Sequence, residues 1–86
     1  MPTVRAFRIA GIKAWFGSND YGSPHFHAKR PGAWEVKVHF LFDSSEMTEV
    51  VWADKPMPRS ARRQLIQLTE LHRVELLAQW EELHQA

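Results

Sequence analysis

The sequence predicts an α+β fold: a small, mainly antiparallel sheet of about five strands with one long C-terminal helix packed on one face. Three observations carry that expectation. Residues 4–52 divide into short β-branched or aromatic runs punctuated by Gly and Pro. Residues 34–39 alternate apolar and polar side chains without a lapse (Trp34, Val36, Val38 against Glu35, Lys37, His39). Beyond Pro58 there is no Gly or Pro, and strong helix formers dominate.

Taken in order, Val4 to Ile9 and Ile12 to Phe16 read as two strands joined by a tight bend at Ala10-Gly11. Gly-Ser-Asn-Asp-Tyr-Gly-Ser-Pro at 17–24 is a loop. His25 to Lys29 and Ala33 to Phe42 form a second hairpin through Arg30-Pro31-Gly32, and Met47 to Trp52 makes a fifth strand after Asp43-Ser44-Ser45. Pro58 suits the first helical position, or Ser60 a cap. On a 3.6-residue period Ala61, Leu65, Leu68, His72, Leu76, Trp80 and Leu83 line one helix face, widened by Ile66 and Leu77. Such a helix is roughly 40 Å long, against a radius of gyration of about 12 Å for a domain of this size. It should therefore overhang, bend or serve a second subunit. Leu71, Val74 and Ala78 form a weaker apolar strip on the opposite side, which fits a homodimer contact through the C-terminal helix or a scatter of exposed aliphatics.

Composition narrows the classes. A chain of 86 residues makes a single domain that buries only about 60% of its unfolded surface, and 44% hydrophobic with 24% charged residues is a globular mix rather than a disordered one. With no cysteine, disulfides and thiolate zinc sites are excluded, so any metal would need His, Asp or Glu. No apolar run approaches a membrane span and the first twenty residues lack a secretory stretch, so no membrane partner and a cytoplasmic location are expected. Residues 1–42 carry six Lys/Arg against two acids, whereas residues 43–86 carry five against eight. A basic first half permits RNA or DNA as a partner without requiring either.

The chemistry concentrates in Pro24-His25-Phe26-His27-Ala28. In a strand, His25 and His27 stand on one face and Phe26 and Ala28 on the other. If Phe26 and Ala28 share the core face with Val36 and Val38, the imidazoles join Glu35, Lys37 and His39 on the open face. Pairing His25 opposite His39 gives that outcome and requires an odd-length loop with Gly32 at positive φ. Lys13 and Trp15 join the same face, so that Lys13, Trp15, His25, His27, Lys37 and His39 make a patch able to hold phosphates and stack a base, or a merely solvated polar surface. Arg59, Arg62 and Arg63 crowd the helix N-terminus against its dipole, and a phosphate there would relieve them.

Together with the opening Met1-Pro2-Thr3, the Ser18-Asn19-Asp20 run leading through Gly22, and the closing Glu75-Leu76-Leu77 with Trp80, the Pro-His-Phe-His-Ala motif resembles the prokaryotic domain-of-unknown-function family 4160 over most of the chain. The resemblance implies no established activity. It implies a bacterial protein encoded beside another small protein, sometimes labelled a toxin–antitoxin component, with that neighbouring gene product as partner.

Three functions from different classes are compatible with these residues. The first is a non-enzymatic module that binds a partner protein and contacts nucleic acid through Lys13, Trp15, Lys29, Lys37, Arg59, Arg62 and Arg63. The second is a small metal-independent ribonuclease in which His25 or His27 acts as base, the other or His39 as acid, and Lys29 or Lys37 stabilises the phosphorane. The third is a divalent metal site, zinc foremost, at His25 and His27 with His39, Asp20 or Glu35 as third ligand. No other cofactor is expected. His72, central in an apolar helix face, reads as a hydrogen-bonded core histidine.

Overall fold

The structure, a computed structural model, describes residues 2–17 and 22–84. It is α+β, with a four-stranded antiparallel sheet in the order β1-β2-β3-β4, formed by β1 (Lys13–Trp15), β2 (Phe26–Arg30), β3 (Trp34–Val38) and β4 (Thr48–Ala53). Two helices follow, α1 (Arg59–Leu71) and α2 (Arg73–Leu83). The second hairpin adopts the expected register. Phe26 pairs with Val38, Ala28 with Val36 and Arg30 with Trp34, and the intervening three-residue turn places Gly32 at φ +79°, a conformation that a side chain would resist.

That register sends Phe26, Ala28, Trp34, Val36 and Val38 to one side, where all are buried with Phe16, Phe40, Met47, Leu65 and Leu76. Phe16, Phe26 and Phe40 meet with ring centroids 6.3–6.5 Å apart, and these aromatics supply much of the apolar area a small core needs. Both helices contribute to this same core, α1 through Leu65 and α2 through Leu76.

The expected first strand does not form. Residues 3–9 touch the sheet only at two isolated bridges, Thr3 with Trp15 and Ile9 with Ile12. Two physical reasons are visible. Ala6 and Phe7, adjacent in sequence, both pack on the core, which a pleated strand cannot arrange. Gln79 of α2 also takes the backbone groups that a strand partner would use: its Oε1 accepts from Arg5 N–H at 3.0 Å and its Nε2 donates to Thr3 O at 2.8 Å. The sheet therefore has four strands rather than five. The fourth predicted strand ends at Val38 instead of Phe42, and Met47 precedes β4 instead of opening it.

The single long helix is also corrected. His72, at φ −110° and ψ 22°, interrupts it and serves as C-cap of α1 and N-cap of α2. Its Nδ1 lies 2.9 Å from Glu75 Oε1, and Phe7 packs against its ring at 5.9 Å. The next residue clamps the start of α2 to the turn after β3, since Arg73 Nε donates to Phe40 O at 2.7 Å and Nη2 to Phe42 O at 2.8 Å. No Gly or Pro marks this break, because its cause is tertiary. Pro58 itself is the N-cap of α1, and no side chain, Ser60 included, makes the capping bond. Of the expected stripe, Leu65 and Leu76 are fully buried while Leu83 is exposed. Thr69 and Gln79 are buried instead, with Thr69 Oγ1 donating to Leu65 O at 2.7 Å.

Replacing Gln79 with Leu keeps its bulk but strands the Arg5 N–H and the Thr3 carbonyl. The expected cost is about 1–3 kcal/mol, read as a lower urea midpoint with an unchanged m-value.

Candidate functional site

The β2–β3 register brings the three strand-region histidines together. His25 and His27 rings are 5.3 Å apart and His25 and His39 rings 5.5 Å apart, centroid to centroid. Trp15, opposite His27 across β1–β2, stacks on it at 5.2 Å and 14°. Phe42 stacks on His39 at 4.8 Å. Trp80 of α2 reaches His25 at 5.8 Å while also touching Phe16 and Phe40 of the core. The result is a belt of rings at one end of the sheet.

This belt departs from the solvated open face expected of these residues. His25 is only 4% exposed, because Trp80 closes over that end of the sheet. Its Nδ1 lies 2.9 Å from Ser23 O, and since a carbonyl only accepts, Nδ1 carries the proton and Nε2 is the basic nitrogen of the neutral ring. His27 Nδ1 stands 4.0 Å from Glu35 Oε2. His39 Nε2 lies 3.0 Å from Glu49 Oε1. Trp15 is half-buried with His27 over one face, which leaves it a poor platform for an unpaired base.

The charges are interleaved rather than uniformly basic. Lys29 lies opposite Glu35 and Lys37 opposite Glu49 across the ladders, so the middle of the sheet surface is balanced. Only at the β1 side do two cations meet directly, Lys13 opposite Lys29. Arg59, Arg62 and Arg63 are exposed at the uncapped N-terminus of α1, with no acid in its first turn, and Arg62 Nε donates to Thr48 Oγ1 at 3.3 Å. Thr48 pairs with Val38 and so belongs to the helix side of the sheet. The arginines and the lysine–histidine residues thus occupy different faces and do not converge on one ligand.

Two concave surfaces flank the sheet. An open cleft of about 900 Å³ lies beside β1, lined mainly by the 3–10 segment and residues 12–15. A smaller groove of about 410 Å³ lies between β4 and the start of α1, floored by Trp34 and Val36 and rimmed by Asp54 and Arg62. Neither is lined by His25, His27 or His39. Among the described residues no group of three His, Asp or Glu could hold a metal ion, and Asp20, one of the expected third ligands, lies outside them. No helix among the described residues is long and apolar enough to cross a membrane.

Two partners escaped the sequence reading. Glu49 is the acid that engages His39; the parity of β4 could have found it, once β4 was paired with β3. His84 stacks on Trp80 at 3.7 Å and its Nδ1 donates to Trp80 O at 2.8 Å, an i,i+4 relation readable from helical spacing alone.

The Glu49 carboxyl is held below the ordinary glutamate value of 4.5, chiefly by its hydrogen bond to His39 and then by nearby Lys37. Asp43 is held below 3.8 by the hydroxyl and N–H of Ser45. A carboxylate whose folded pKa is depressed stabilises the fold fully above its unfolded pKa, and that contribution is lost as pH falls through the folded value. Melting temperature should therefore fall as pH drops below 4.5. Glu49→Gln should flatten that acid limb and lower the melting temperature at neutral pH, as a pH series of thermal melts will read.

The comparison with family models matches residues 11–81 to the Domain of unknown function (DUF4160). No curated protein and no solved structure matches the chain. The matched span runs from the turn at Gly11 to Glu81 and takes in all four strands, the Pro-His-Phe-His-Ala motif and most of both helices, leaving the Met1-Pro2-Thr3 opening outside it. With the shared span covering so much of the sheet and the helices that close it, the chain belongs to the DUF4160 family.

Proposed function

We propose that this protein is a partner-binding module that takes up an extended segment of another protein along the outer edge of β4. One observation carries the reading. β4 is an edge strand six residues long, and every residue after Thr48 is exposed, including Val50 (62%), Val51 and Trp52. Sheet edges are ordinarily blunted by lysine, proline or short length. β4 has neither residue type, and its single charge, Glu49, is engaged by His39. A bulge opposite Glu35 and Val36 is the one protective feature. Strand addition at such an edge gains main-chain hydrogen bonds, and the groove against Trp34 and Met57 offers a pocket for an apolar side chain of the incoming segment.

The partner this reading favours is a small protein encoded by the neighbouring gene, presenting an apolar strand. Coexpressed with that protein, the chain should copurify as a complex, and Val50→Lys should weaken it about tenfold or more without lowering the melting temperature, because Val50 is exposed. Hydrogen-exchange protection should appear on β4. Protection confined to Leu71 and Val74, 75% and 83% exposed, would instead identify a helix-mediated contact such as a homodimer.

A second reading, RNA cleavage by His25, His27 and His39, is favoured by the clustering of the other two rings within 5.5 Å of His25. Against it stand the burial of His25 and the absence of these residues from either concave surface. It requires that the protein cut a short RNA, spare the same DNA sequence, and lose activity in His25→Ala and His27→Ala. RNA left intact removes it.

A further inference from the structure

The cleft beside β1 belongs to neither reading, and its construction points to a ligand. Val4 N–H donates to Ala14 O at 3.0 Å and Ile12 N–H to Ile9 O at 3.1 Å. Between these ties no bridge joins residues 5–8 to β1, and the opening so formed is the larger of the two concave surfaces, about 900 Å³, within the range of small-molecule sites. Phe7, Ile9, Ile12 and Leu65 give it an apolar wall.

Its charged lining has one sign. Among the described residues Arg8, Lys13 and Lys29 line the cleft, and no Asp or Glu does. Lys13 and Lys29 sit directly opposite each other across the β1–β2 ladder, an arrangement that costs stability when left unrelieved. Glu35, opposite Lys29 on its other side, offsets part of that cost, but among the described residues no acid lies opposite Lys13 on the ladder. Among the described residues none of the three cations has a carboxylate within 4 Å, and Glu35 stands 4.0 Å from His27 Nδ1. At the turn that closes this end, the Arg30 guanidinium lies against Gly11, where a Cβ would stand 3.3 Å from Nη1, so a further cation borders the site. Like charges paired across a ladder with only partial compensation, beside a preformed apolar cleft, mark a place where an anion would supply what is missing.

We propose that this cleft binds a small anionic amphiphile, a carboxylate or comparable acid carried on an aliphatic body. Lys13 and Lys29 hold the acid group, and Phe7, Ile9 and Ile12 cover the apolar part. Charge-assisted hydrogen bonds to two lysines give the head its affinity, and burial of the chain adds to it in proportion to area. The site is independent of strand addition at β4, which occupies the opposite edge of the sheet.

The test is titration of the full chain, isotopically labelled, with decanoate below its micelle concentration, followed by amide shifts and calorimetry. Shifts should centre on residues 7–15 and Lys29. Lys13→Gln with Lys29→Gln, which removes a like-charge pair and so should not lower the melting temperature, should weaken decanoate about tenfold or more. Decyltrimethylammonium should not compete, and acetate should not reproduce the shifts. The proposal is overturned if decanoate does not bind, if the cationic amphiphile binds as tightly, or if the double variant binds unchanged. It is equally overturned if acetate alone gives the same shifts, or if they centre on the β4 groove or on Leu71 and Val74.

Discussion

The pairing of Phe26 with Val38 is the constraint from which the rest of this structure follows. Strand side chains alternate with a period of two, so this one register decides the fate of nine side chains at once. It sends Phe26, Ala28, Trp34, Val36 and Val38 into the core and His27, Lys29, Glu35 and Lys37 to the other side. A slip of one residue would turn one strand over, burying either His27 and Lys29 or Glu35 and Lys37 and exposing that strand's apolar set in a domain with little other core. Gly32 at φ +79° makes the three-residue turn possible and so holds the register from one end. The aromatic contact of Phe26 with Phe16 and Phe40 holds it from the other.

The imidazole belt is a consequence of the same register. Once Phe26 faces inward, His25 and His27 must stand together and His39 must come level with them. Burial of His25 then depends on Trp80, which bridges the core aromatics and the histidines from the last turns of α2. A helix that ended before Trp80 would leave the belt open to water. The proximity of the rings is therefore as much a product of sheet geometry as of any chemistry they perform, which is why the cluster alone weighs less than a built, accessible surface.

Reading the chain in advance succeeds where a local pattern and the tertiary structure agree. The alternation from Trp34 to His39 identified the core face, and the parity of His25 with His39 identified the turn length and the glycine conformation. It fails where the deciding contact comes from far along the chain. Val4 to Ile9 has strand-like composition, yet Gln79, more than seventy residues away, takes its backbone groups. The apolar stripe of the C-terminal segment runs on without a break signal, yet Arg73 fastens to two carbonyls of the turn after β3 and His72 leaves helical geometry. The candidate basic surface was overestimated for a related reason: composition counts Lys29 and Lys37 but does not reveal that Glu35 and Glu49 face them.

The two edges of the sheet are treated differently, and the difference bears on what the domain can do. At β1 the chain covers part of its own edge: Val4 N–H bonds to Ala14 O and Phe16 N–H to Pro2 O, with Gln79 fastening the covering segment in place. That cover departs from the strand at residues 5–8, and a cleft lined by Arg8, Lys13 and Lys29 is the result. At β4 the edge carries Val50, Val51 and Trp52 in water. A domain this small cannot spare apolar side chains from its core without a compensating use, since each one left in solvent forgoes about 1.5–3 kcal/mol of burial when total stability is of the order of 5–15 kcal/mol. Three such residues in succession on an unblunted edge thus weigh more heavily here than the same patch would on a large protein, and they are what supports the proposed association surface on β4 over one on the histidine belt.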